Sequence, residues 1–84
     1  MSITLTPEQI RAGRAILRMT AKELGEKAGI SLPTVQRLET RKGSLGTAEH
    51  GTIEKLVSAF RESGIDFPDQ FSVSYRRMVE QARA

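Results

Sequence analysis

The chain has 84 residues, enough for one small domain but too few for a generous core, so self-association would add to its stability. It carries 13 Lys and Arg against 10 Asp and Glu, and the resulting net charge of +3 is a modest basic excess compatible with a nucleic-acid partner. It has no cysteine, no apolar run near the ~18 residues of a membrane span and no signal-peptide start at Met1-Ser-Ile-Thr; disulfides, thiolate metal sites, membrane insertion and export are set aside, and a cytoplasmic protein is expected.

The first element announces itself at Thr6-Pro7-Glu8-Gln9. Thr6 is placed as N-cap, Pro7 takes the first helical position where its missing N–H costs nothing, and Gln9 completes a capping box. The spacing predicts a helix to about Arg18 that buries Ile10, Gly13 and Leu17, with Ile16 beside them. Thr20 opens a second helix and Ser31 a third, running from about Leu32 to Thr40. Gly29 divides the two, since glycine adopts the left-handed conformation that ends a helix. Residues 41–51 hold three glycines and no apolar period, which reads as a loop. Thr52 is expected to cap a fourth helix, with Ile53, Leu56, Val57 and Phe60 at i, i+3, i+4 and i+7, and Gly64 to end it.

The tail admits two readings. Ile65-Asp66-Phe67 alternates like a short strand, and Phe71, Val73 and Tyr75 could return as a second strand. Phe71, Tyr75, Met78, Val79 and Ala82 also fall at helical spacing, so the favoured reading is an extended 65–67 followed by a helix from about Ser74. In either form Phe67, Phe71, Tyr75 and Met78 exceed what a four-helix core needs, which points to residues 68–84 as a dimerisation and packing tail on a main domain of residues 1–67. The hairpin or helix of the tail stays open at this point.

The most informative stretch is Thr20 to Glu39. Leu24, Ala28, Ile30, Val35 and Leu38 give each short helix one apolar stripe, and the small Gly25 lets the two cross closely. A small residue at 25, glycine at 29 and apolar residues at 24, 28, 30, 35 and 38 resemble the helix-turn-helix of the Cro/C1-type regulators, the XRE family. The resemblance covers roughly residues 6–67. It implies an all-α, lambda-repressor-like bundle of four to five helices whose third helix enters the DNA major groove.

With Val35 and Leu38 inward, helical spacing turns Leu32, Pro33, Gln36, Arg37 and Thr40 outward. Arg37 is the leading base-reading candidate, because a guanidinium bonds both O6 and N7 of guanine and discriminates by ~1–3 kcal/mol. Gln36 can pair with adenine or bond a phosphate, Thr34 offers a hydroxyl, and Leu32 and Pro33 can contact only a thymine methyl. Phosphate candidates are Ser31, Thr40, Arg41, Lys42, Gly43, Ser44, Thr20 and Lys22, with Thr47 and the loop residue His50 as weaker ones. The chain departs from the family at Ala21, where a phosphate-binding glutamine is common, and at the apolar Leu32-Pro33 pair; part of the specificity is therefore expected from DNA shape.

The resemblance also implies a partly buried salt bridge between Arg14 and Glu39, while Arg11 and Arg18 read as solvated or distant phosphate contacts. One histidine and scattered acids offer no catalytic constellation, so no enzyme, metal or cofactor is expected. The expected function is a homodimeric transcriptional regulator, most simply an autoregulatory repressor of a phage or mobile-element operon, on a near-palindromic double-stranded operator and without a small-molecule ligand. The alternative from another class is a protein-binding module, an antitoxin or antiactivator on the same fold.

Overall fold

The computed structural model describes residues 5–40 and 50–76. Four helices and a small hairpin follow one another: α1 Pro7–Leu17, α2 Ala21–Ala28, α3 Leu32–Thr40, α4 His50–Glu62, β1 Ile65–Asp66 and β2 Ser74–Tyr75. The protein is a small all-α bundle with a two-stranded antiparallel appendix.

Local chemistry sets the helix ends. The Thr6 hydroxyl accepts the Gln9 N–H at 3.1 Å while Gln9 Oε1 accepts the Thr6 N–H at 3.0 Å, the reciprocal pair of a capping box. Leu5, one residue before the cap, and Ile10 stand at the two positions of a hydrophobic staple, and both are buried. Arg18 closes α1 in the left-handed conformation, φ 55° and ψ 42°. A second capping box joins Thr20 and Glu23 at the head of α2. Gly29 then takes φ 77°, which a side chain would strain, and its N–H and that of Ile30 both donate to the Gly25 carbonyl. The chain turns sharply there. A Cβ at Gly25 would lie 2.7 Å from the Ile30 carbonyl oxygen and 3.4 Å from Val35, so the close crossing of α2 and α3 needs glycine.

The core is built from Leu5, Ile10, Leu24, Val35, Leu38, Ile53, Leu56, Val57, Ala59, Phe60 and Ile65, with Leu17, Ala28 and Ile30 packed at its margin. Phe60 is its largest fully buried side chain, and its ring meets that of Phe67 edge-on at 5.4 Å and 87°.

Three expectations are corrected. Ile16 lies on the outside of α1, 41% exposed, because one further residue of 100° rotation carries it off the inner stripe that Ile10, Gly13 and Leu17 share. The fourth helix begins at His50, two residues ahead of Thr52, so Thr52 is an internal helical residue and His50 is no loop histidine. Ser74 and Tyr75 form a strand, not the start of a helix: Ile65 pairs with Tyr75 and Asp66 with Ser74, and the Arg76 N–H donates to the Gly64 carbonyl at 2.8 Å. Ile65 is buried against α4, and pairing with β1 gives β2 a ladder that local helical spacing could not offer. The expected helix beyond Arg76, including Met78, lies outside the described residues.

Candidate nucleic-acid interface

Val35 and Leu38 are fully buried, and this anchors one side of α3 and fixes what the other side presents. Ser31, Pro33, Gln36, Arg37 and Thr40 are exposed along the outer side, with Leu32 and Thr34 half-buried between the two. The helix is opened by Ser31, whose hydroxyl accepts the Thr34 N–H at 3.3 Å and hydrogen-bonds the Thr34 hydroxyl at 2.8 Å. At the other end the Thr40 hydroxyl donates to the Arg37 carbonyl at 3.1 Å. Gln36 and Arg37 thus stand one turn in from a capped helix start, on a surface that α2 does not cover.

The electrostatics of this face follow from one residue. Glu39 is the only carboxylate on α3, and it points inward, with 8% of its surface exposed. Arg14 of α1 grips both of its oxygens, Nε to Oε2 at 2.7 Å and Nη2 to Oε1 at 2.8 Å, while Arg14 Nη1 donates to the Met19 carbonyl at 3.0 Å. The hydrogen bond to Glu39 is the main reason the Arg14 guanidinium is held above its ordinary pKa, against the opposing effect of burial. Arg11 Nη1 donates to the Glu39 backbone carbonyl in the last turn of α3. Two arginines of α1 therefore clamp the end of α3, and no acid of α3 faces outward.

Other anticipated residues are placed as follows. Lys22 is exposed on the first turn of α2. Thr20 is exposed too, but its N–H is taken by Glu23 Oε1, so the start of α2 is closed by its own side chains and its backbone is a poorer phosphate anchor than the sequence suggests. Arg41, Lys42, Gly43, Ser44 and Thr47 lie outside the described residues. Of the tail aromatics, Phe67 is half-buried on Phe60 and so serves the protein's own core, whereas Phe71 is 87% exposed and Tyr75 42%. Met78 lies outside the described residues.

Sequence reasoning missed three contributors. Arg11 reads from the sequence as solvated face or distant phosphate contact, and nothing in α1 alone shows that a carbonyl 28 residues away meets it. The Thr20-x-x-Glu23 capping box was legible as a pattern. Gln9 was assigned only to the cap, yet its Nε2 also donates to the Asp69 carbonyl at 2.6 Å and to the Ser72 carbonyl at 2.9 Å.

No helix among the described residues is long and apolar enough to cross a membrane. No protein-family model matches the chain, and no curated protein matches it in sequence.

Proposed function

We propose that the protein is a homodimeric, sequence-specific DNA-binding regulator of the Cro/C1 type, a lambda-repressor-like bundle that sets α3 into the major groove of each half of a near-palindromic operator. The observation that carries the reading is the outer face of α3: Gln36 and Arg37 exposed on a helix anchored by Val35 and Leu38, with its one carboxylate turned inward and neutralised by Arg14. A phosphate-lined groove would meet no acidic side chain from that helix. Arg37 is the assigned guanine reader, Gln36 reads adenine or holds a phosphate, and Pro33 supplies apolar contact at the first turn. Lys22 and Ser31 flank the helix as backbone contacts. Repression by occupying a promoter, including its own, is the simplest mode for a domain of this size.

The test is binding to the DNA upstream of the protein's own gene, by mobility shift and footprinting, for wild type and Arg37→Ala across a salt series. A protected pair of half-sites about one helical turn apart, lost in Arg37→Ala, is the expected result. Weak, sequence-blind binding that Arg37→Ala leaves unchanged would replace this reading with that of a protein-binding module of antitoxin or antiactivator type.

A further inference from the structure

Three large apolar side chains stand exposed among the described residues, Ile16, Phe71 and Tyr75, and one of them, Phe71, lines a surface pocket. Beside Phe71 is an open pocket of about 350 Å³ whose walls include Thr6, Gln9, Ala12, Val73 and Phe71 itself. A cavity of about 150 Å³ already takes a benzene ring, so this one has room for a phenyl side chain. Ile16 continues the same strip: it follows Ala12 by four residues on α1, hence one turn away on the same face.

Phe71 is held out from the surface by design of the turn that carries it. Gln9 Nε2 bonds the carbonyls of Asp69 and Ser72, and the Asp69 carboxylate accepts the Phe71 N–H at 2.8 Å and the Ser72 hydroxyl at 3.2 Å. The ring is therefore presented on a backbone already fixed from both sides, which lowers the ordering cost of inserting it elsewhere.

We infer that this face is the dimer interface, the Phe71 ring of each copy entering the partner copy's pocket over Ala12, with Ile16 extending the contact along α1. The inference deepens the homodimer of the proposed function and rests on it. A second copy is the occupant that fits, because knob and pocket lie side by side on one face, and a two-fold rotation exchanges them in a contact that closes on itself. Charge agrees. Glu8 lines the pocket and pairs with Arg11 one turn on, 3.7 Å away, and two-fold apposition can set this exposed pair against its copy with the charges in reverse order. The small Ala12 and the neighbouring exposed Ala15 let the two α1 helices approach closely.

The experiment is a concentration series of the full chain by sedimentation and light scattering, for wild type, Phe71→Ala and Ala12→Glu. Since Phe71 makes no core contact, the variants should keep the wild-type circular dichroism while the dimer dissociation constant rises at least about tenfold. A second readout traps the contact covalently, in mixed dimers that keep one Phe71 ring over one Ala12. The chain has no cysteine, so equal amounts of Ala12→Cys and Phe71→Cys chains, mixed and mildly oxidised, should yield a dimer joining one of each. A wild type that stays monomeric at concentrations that saturate DNA would overturn the interface, as would a dimer that neither variant weakens and no 12-to-71 link forms in. Half-site protection by a monomeric wild type would sink the interface and leave DNA binding standing. A Phe71-dependent dimer that shifts no DNA would support the interface and sink the DNA-binding reading.

Discussion

Arg14 and Glu39 meet as two parallel charge-assisted hydrogen bonds, 2.7 and 2.8 Å long, between the last turn of α1 and the last turn of α3. Glu39 is nearly enclosed, so removing its partner strands a carboxylate away from water. Arg14→Ala should therefore cost about 2–4 kcal/mol, whereas Arg11→Ala, which loses one bond to a helix-end carbonyl and an exposed pair with Glu8, should cost about 1 kcal/mol or less. Chemical denaturation of both variants measures this, and equal midpoints would remove the pair from its structural role.

The sign of the pH dependence follows from the same pair. The folded-state pKa of Arg14 is raised by its bond to Glu39, so its contribution is fully present below the ordinary arginine range and lost only as pH climbs through the still higher folded value. Titration of Arg14 should accordingly add no slope between about pH 6 and 9. Thermal melts of wild type and Arg14→Ala at both ends of that window should show the same difference, and a gap that shrinks toward pH 9 would contradict the assignment.

Two glycines should respond in opposite directions to the same substitution. A Cβ at Gly13 would sit 2.7 Å from the ring of Phe60, which is fully buried and has nowhere to retreat, so Gly13→Ala should destabilise by about 1–2 kcal/mol even after the helix-propensity gain. Gly51, in the first turn of α4 with nothing within 4 Å of its would-be Cβ, should stabilise by about 0.5 kcal/mol on the change to Ala. Denaturant midpoints for the two variants should fall on either side of wild type.

Gln9→Glu keeps an acceptor for the Thr6 N–H but removes the donor that Asp69 and Ser72 share. The cost should be about 1–3 kcal/mol, since two carbonyls lose their partner and a buried carboxylate faces them. Amide exchange gives the sharper readout: the N–H groups of Phe71 and Ser72 should exchange faster in the variant, while those of α2 and α3 hold their protection. Unchanged exchange in the 69–72 turn would mean that the turn is held by Asp69 alone.

On the DNA-binding reading, Lys22→Ala and Gln36→Ala should separate by kind. Lys22 as a phosphate contact should weaken all sequences alike and lower the salt slope by about 1. Gln36→Ala should instead relax discrimination at one base position with about 1–3 kcal/mol lost there and the slope kept. Binding to operator and scrambled DNA over a salt series decides between these signatures; a sequence-independent loss in Gln36→Ala would make it the phosphate contact.

What the chain determined by itself lies where structure is governed by neighbours in sequence. Thr6, Pro7 and Gln9 start α1, Thr20 starts α2, Gly29 and Ser31 make the turn, and α3 runs over the expected Leu32–Thr40, because caps and left-handed glycines act within one turn of the helix they bound. The outward set on α3 was equally legible, since burial of Val35 and Leu38 fixes the rest by rotation alone. Tertiary structure decided what depends on partners far along the chain. Phe71 and Tyr75 stand at helical spacing, yet Ser74 and Tyr75 became a strand because Ile65, seated on α4, offered its backbone to pair with. Gln9 reaches carbonyls 60 and 63 residues away, Arg11 and Arg14 close on a helix end that periodicity could not bring to them, and Phe67 is drawn to Phe60 while Phe71 is pushed outside. A local pattern states which side of an element is apolar; which apolar group finds cover, and which is left exposed, is settled only when the elements compete for the same small core.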